Sequence, residues 1–246
     1  MRAEIRILSL YPEILNIYGD RGNLITLVQR ARWHGLEPVV TEASIGDPVD
    51  FRRYDLVAIG GGQDREQKLI AADFKDEKGP SLAEAVREGV AVLAVCGAYQ
   101  LMGKYYRTAQ GEEIPGLGIF DAWTEAGSRR MIGDVVVETD LLGGTRTLVG
   151  FENHSGRTFL GPSARPLGRV LRGHGNNGED GHEGIVHRSA VGTYLHGSLL
   201  PKNPHLADWL LQRALDYRYG GSVRLGRLDD EFEERAHAAM VRRLLG

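Results

Sequence analysis

A single cysteine, Cys96, stands among 246 residues, so no internal disulfide can form and the chain suits a reducing compartment. No stretch approaches the roughly 18 consecutive apolar residues that a membrane-crossing helix needs. The opening residues, Met1-Arg2-Ala3-Glu4-Ile5-Arg6, interleave charge with apolar side chains and lack the unbroken apolar core of a signal peptide. An excess of one charge is missing as well. A formal net charge of −3 gives no bulk attraction for nucleic acid or for an anionic membrane surface. No P-loop pattern is present to cradle ATP. These absences lead to the expectation of a cytoplasmic, enzyme-sized protein without nucleic-acid binding or membrane insertion.

What is present is ordinary globular material, 42% apolar and 26% charged, enough for a substantial α/β core. Ile5, Ile7, Leu8 and Leu10 form a short apolar run ending at Tyr11-Pro12. Leu24, Leu27, Val28 and Ala31 then mark one stripe of a helix stopped by Gly35. Glu37 to Val40 and Leu56 to Ile59 read as strands, the latter closed by Gly60-Gly61-Gly62. Ser81-Leu82-Ala83-Glu84 has the form of a capping box, starting a helix that stops at Gly89. Val90 to Val95 follows as an unbroken apolar run, the pattern of a strand buried on both faces. The alternation predicts an α/β fold: a mostly parallel twisted sheet with helices on both faces.

From about Gly116 to Tyr194 the character changes to short β-like runs (134–138, 147–151 and 169–171) between glycine-rich turns. Residues 173–181 form the most flexible-looking segment. A helix is expected from Asn203-Pro204, and a last one from about Asp229, with acids at its start and Arg242-Arg243 near its end. The expected organisation is one domain, 1–220, with a C-terminal helical appendage, 221–246.

Cys96 lies where the apolar strand runs directly into Gly97 and a helix pattern. That is the strand-to-helix elbow that holds a nucleophile above the carboxyl edge of a sheet. The helix start lowers a thiol pKa and aims backbone N–H groups, that of Gly97 first, at a developing oxyanion. His196, in Gly192-Thr193-Tyr194-Leu195-His196-Gly197-Ser198, follows another short apolar run, at the edge where doubly wound sheets bind ligands. A neutral imidazole there takes the thiol proton and later protonates a leaving amine.

Together these residues resemble the class I glutamine amidotransferases, and among them the cobyric acid synthase-like branch. Six blocks, Ile17–Asn23, Gly60–Gln67, Ala94–Gln100, Arg130–Asp134, Gly150–His154 and Gly192–Gly197, are similar to the small glutaminase subunits of lipid II isoglutaminyl synthases. The likeness runs from about Tyr18 to Leu199. It implies that the chain takes ammonia from L-glutamine, with Cys96 as the nucleophile that forms a γ-glutamyl thioester and His196 as the general base. It implies Arg130 as the ligand of the substrate carboxylate, with the adjacent Arg129 as the competing assignment. It also implies the Gly60-Gly61-Gly62 loop as the source of a second oxyanion donor. No cofactor is implied in this chain. ATP and metal belong to a Mur-ligase-like synthetase partner, which activates the α-carboxylate of D-glutamate in lipid II to receive the ammonia in a heterodimer.

Many class I enzymes carry a carboxylate two residues after the histidine, where this chain has Ser198. What orients His196 is therefore open, with Glu152 as one candidate. His174, His182 and His187 match no compact metal-ligand spacing. Gly19-Asp20-Arg21-Gly22-Asn23 lacks the lysine of a phosphate loop and reads as a turn into a helix. Ammonia transfer to another acceptor such as a corrinoid, a non-catalytic binding subunit on the same fold, and a different acyl hydrolase are the competing readings.

Overall fold

The computed structural model describes residues 2–246. Its first half alternates strands and helices: β1 (Glu4–Leu10), α1 (Arg21–Trp33), β2 (Glu37–Ala43), β3 (Leu56–Ile59), α2 (Asp64–Ala72), α3 (Gly79–Glu88), β4 (Ala91–Val95) and α4 (Gly97–Met102). After the middle region come β11 (Ile185–His187), β12 (Ala190–Thr193), α5 (Leu199–Lys202), α6 (Pro204–Tyr219) and α7 (Glu231–Leu245). The first sheet has six strands in the order β11-β12-β4-β3-β1-β2, parallel except for the β11–β12 hairpin. Successive residues of a strand face opposite sides, and all five residues of β4 are buried, so both faces of the sheet are covered. This is the mostly parallel, helix-flanked sheet that the alternating pattern predicted.

The middle region builds a second sheet. It contains β5 (Tyr105–Arg107), β6 (Glu113–Pro115), β7 (Ala122–Thr139), β8 (Arg146–Leu160), β9 (Gly168–Arg172) and β10 (His182–Glu183), ordered β10-β9-β7-β5-β6 with β8 on β7. The short runs expected at 134–138 and 147–151 are parts of the long β7–β8 ladder. That ladder crosses an irregularity between Ala126 and Met131, where the alternating pattern breaks.

Two local expectations change. The helix expected from Ser81 begins at Gly79, continuous with a π-helical turn at 73–78. Ser81 is therefore already inside the helix and no Ser81–Glu84 capping box forms. The glycine-rich 173–181 segment is pinned rather than loose. Glu152 accepts the N–H groups of His174 (2.8 Å) and Gly175 (3.0 Å), and Asn176 and Asn177 are buried.

Ion pairs and hydrogen bonds tie the ends of the chain to this frame. Arg30 of α1, 2% exposed, makes a two-pronged contact to Asp208 of α6 (2.6 and 2.7 Å) and another to Asp230 before α7 (2.7 and 2.8 Å). A planar guanidinium suits such paired contacts. Helix α7 lies against β7, β8 and β9, where His237 contacts the Thr147 hydroxyl (2.8 Å) and the Lys202 carbonyl (2.9 Å). Among the described residues no helix is long and apolar enough to cross a membrane.

Glu183 stitches the two sheets together. Its carboxyl, at the end of β10, accepts the Thr193 hydroxyl (2.6 Å) and the Tyr194 N–H (2.8 Å) where β12 ends. Burial pushes this carboxyl up to about 7, against the favourable effect of those two donors. A carboxyl held above its ordinary value of 4.5 stays protonated in the fold while the unfolded chain ionises, so stability is lost as pH rises from 4.5 to about 7. Glu183→Gln has no proton to lose. Between those limits its unfolding free energy should gain on the wild-type chain by on the order of 2–3 kcal/mol, measured by urea unfolding at stepped pH. A pH-independent difference would contradict this.

Candidate active site

The apolar ladder of β4 ends at Val95, and the next residue turns sharply. Cys96 adopts φ 51°, ψ −105°, a left-handed conformation that costs a non-glycine residue roughly 1–3 kcal/mol. Its surroundings hold it there: its N–H donates to the Thr193 carbonyl (2.8 Å), and its own carbonyl accepts the Gln100 N–H (3.0 Å) as α4 begins. The turn needs Gly97, since a Cβ there would sit 2.6 Å from the Gly62 carbonyl oxygen and 3.0 Å from the Gly62 nitrogen. The nucleophile elbow and the glycine loop after β3 are therefore in direct backbone contact.

His196 reaches the same edge from β12. Parallel pairing sets Thr193 beside Val95, so the residues following each strand emerge together. The His196 backbone is clipped to β8 through Phe151, with N–H···O distances of 2.7 and 3.3 Å. Its ring is fully buried, and the Tyr18 ring meets it edge-on at 5.1 Å.

The residue beside that ring is one that sequence reasoning passed over. Asp20, 5% exposed, places Oδ1 3.5 Å from His196 Nδ1, and its Oδ2 accepts the Gly61 N–H at 2.7 Å. Burial alone would disfavour a charged imidazole. The neighbouring Cys96 sulfur and the Asp20 carboxylate outweigh it and push His196 up to about 10. The available signal was positional: Asp20 is the one carboxylate in the Ile17–Asn23 block, which leaves β1 at the carboxyl edge shared with Cys96 and His196.

Glu152 does not face His196. It is occupied by the 173–175 segment and by His174 Nδ1 at 2.7 Å. The neighbouring His154 stacks on Tyr194 at 3.6 Å, gives Nδ1 to the Gly156 carbonyl (2.7 Å), and is held below its ordinary pKa by burial. His174, His182 and His187 do not assemble a site: among the described residues no three His, Cys, Asp or Glu side chains converge to hold a metal.

A cavity of about 520 Å³ opens beside Cys96, lined by Gly62, Gln67, Gln100, Arg130 and Asn153 among others. Arg130 borders it and Arg129 does not. Arg130 gives one N–H to the Asn153 side chain (2.8 Å), leaving further donors in its five-donor fork. Beneath the cavity runs a buried relay. Gln67 donates to Gln100 (2.7 Å), Gln100 donates to the Tyr194 hydroxyl (2.9 Å), and Tyr194 meets Thr158 (2.7 Å). Of the sequence-predicted residues, Cys96, Gly62 and Arg130 thus line this pocket, while Gly97 packs against Gly62 and His196 is buried beside Asp20. Gly61 faces His196 instead, and its N–H is already held by Asp20.

Comparison with known proteins shows the family and the fold. The family profile of the CobB/CobQ-like glutamine amidotransferase domain matches residues 6–204. The chain is 42% identical to the lipid II isoglutaminyl synthase (glutamine-hydrolyzing) subunit GatD of Staphylococcus aureus (strain N315), over 98% of this chain and 96% of that one. It is 39% identical to the corresponding GatD subunit of Streptococcus pneumoniae (strain ATCC BAA-255 / R6), over 92% of this chain and 86% of that one. Among solved structures, a chain of PurLQS from Thermotoga maritima shares the fold at a TM-score of 0.61 and 15% identity, over 89% of this chain and 100% of that one. The chain belongs to the CobB/CobQ-like glutamine amidotransferase family, on the branch of the GatD subunits.

Proposed function

We propose that this protein is the glutaminase subunit of a lipid II isoglutaminyl synthase, hydrolysing L-glutamine to glutamate and ammonia. The observation that carries the reading is the convergence of Cys96, His196 and Asp20 beside a cavity bordered by Arg130, in a chain 42% identical to a GatD subunit. The Cys96 thiolate attacks the carboxamide carbon of glutamine while Arg130 grips the α-carboxylate. The N–H groups of Gly62 and Gly97 receive the oxyanion, and Gly61 spends its N–H on keeping Asp20 in place. The imidazolium then gives its proton to the departing ammonia. With the sulfur now in a thioester, the charge that kept the ring protonated is gone, so His196 becomes a base for the incoming water.

The subunit names of the relatives support a complex. In it a Mur-ligase-like synthetase, carrying the ATP and metal, activates the α-carboxylate of D-glutamate in lipid II and receives the ammonia in the cytoplasm. This chain needs no cofactor of its own for the step assigned to it. Residues 1–220 form the catalytic unit in this reading, and 221–246 a docked helical appendage.

The function is tested by exposing the protein, alone and with its synthetase partner, to a diazo-ketone analogue of glutamine. One covalent adduct by intact mass, lost in Cys96→Ala, is expected. No adduct in the confirmed complex would sink the glutaminase reading. Arg130→Ala should raise KM for glutamine about 10- to 100-fold, the value of a lost charge-assisted contact, with Arg129→Ala near wild type. The reverse pattern would move the carboxylate site. The imidazolium favoured by Cys96 and Asp20 is lost as pH rises toward about 10, so activity should hold across neutrality and fall on the alkaline side. Asp20→Asn should bring that alkaline limb to lower pH, and an unmoved limb would remove Asp20 from its role.

A further inference from the structure

We propose that Ser198 is a positioning residue for glutamine hydrolysis, acting through Asp20: its hydroxyl latches the loop that carries the carboxylate onto the segment that carries His196. The inference rests on the glutaminase reading above and concerns how its base and orienting carboxylate are kept in register.

The Ser198 hydroxyl donates to the Gly19 carbonyl at 2.7 Å. That carbonyl belongs to the peptide plane from which the Asp20 Cα hangs, so the bond sets the starting direction of the Asp20 side chain. One turn further along, the Leu200 N–H donates to the buried Asn23 side chain at 3.0 Å. The stretch just after His196 therefore gives two hydrogen bonds to the stretch around Asp20. Closeness confirms the fit: a Cβ on Gly22 would lie 2.1 Å from Ser198 Oγ, so only glycine lets the two segments approach this far. Ser198 itself is held at φ 50°, a left-handed conformation, and the preceding Gly197 carbonyl is fastened by Lys202 Nζ at 2.6 Å. Such strain persists only where surrounding contacts over-determine it.

Asp20 needs an external latch. Its Oδ2 has the Gly61 N–H, but among the described residues its Oδ1 has no hydrogen-bond partner and stands 3.5 Å from the imidazole. Asp20 also borders a separate cavity of about 300 Å³ with Ser9, Glu13, Asn23 and Glu42, which His196 does not line. The loop therefore has room to draw the carboxylate away from the ring, and the Ser198 bond opposes that movement.

Ser198→Ala removes the hydroxyl while keeping the Cβ, so backbone strain is unchanged. Glutamine turnover by the full chain with its synthetase partner should be measured across pH for wild type, Ser198→Ala, Asp20→Asn and the double variant. Ser198→Ala should lower kcat about ten- to hundredfold with KM within about twofold, the scale of a small misplacement of a reacting group. Its alkaline limb should move in the same direction as that of Asp20→Asn. In the Asp20→Asn background Ser198→Ala should add nothing further, because coupled residues are not additive. Independent, multiplying losses, or a Ser198→Ala enzyme with wild-type kcat and pH profile, would overturn the latch while leaving the glutaminase reading intact. A wild-type complex that turns over no glutamine would overturn both.

Discussion

The parallel ladder between β4 and β12 is the constraint from which the site follows. These strands are distant in sequence, and their register, Thr193 beside Val95, decides that the elbow cysteine and the histidine leave the sheet at one edge. A one-residue slip would send every β12 side chain to the opposite face and carry His196 out of reach. The register is secured on both sides. Cys96 N–H closes onto the Thr193 carbonyl, and Glu183 reaches across from the second sheet to hold Thr193 and Tyr194. The second sheet is therefore part of the geometry of the site, supplying Arg130 to the cavity and Phe151 to the His196 backbone.

Within that frame the charges are arranged so that one event changes the role of one group. A buried imidazole resists protonation, yet the sulfur and the Asp20 carboxylate together favour it. Acylation removes one of the two contributions and leaves the other. In the proposed cycle, the ring is an acid before the thioester forms and a base afterwards, with no movement of the backbone. Asp20 is the constant member of the set in that proposed cycle, held by the Gly61 N–H while the preceding Gly19 carbonyl accepts Ser198.

Much of this was legible in the chain itself. The apolar run from Val90 to Val95 announces a strand buried on both faces, and Cys96-Gly97 after it announces a turn into a helix; the structure contains both. The partner of the histidine was not legible, because a carboxylate contributed by the edge of β1 leaves no spacing pattern relative to His196. Glu152 drew attention by sitting in a block with His154, but its two oxygens are consumed by the N–H groups at 174 and 175. Arg129 and Arg130 are indistinguishable by composition and become distinct only once the fold brings Arg130 to the cavity beside Cys96. Ser81 and Glu84 have the spacing of a cap, but the continuous π-helical turn before them leaves no helix end to cap.

The buried Arg30 has a consequence for how the chain is made. Helix α1 follows the first strand, yet the two carboxylates that neutralise its guanidinium are Asp208 and Asp230. Asp20, near the start of that helix, likewise waits for His196 and Ser198. As the polypeptide emerges from the ribosome, the first βα unit holds a cation and an anion whose partners have not yet been synthesised. Its native packing is thus deferred until the last strand of the parallel sheet and the residues just before α7 are available. A chain cut short before Asp208 and Asp230 would leave the buried Arg30 guanidinium of α1 without its carboxylates.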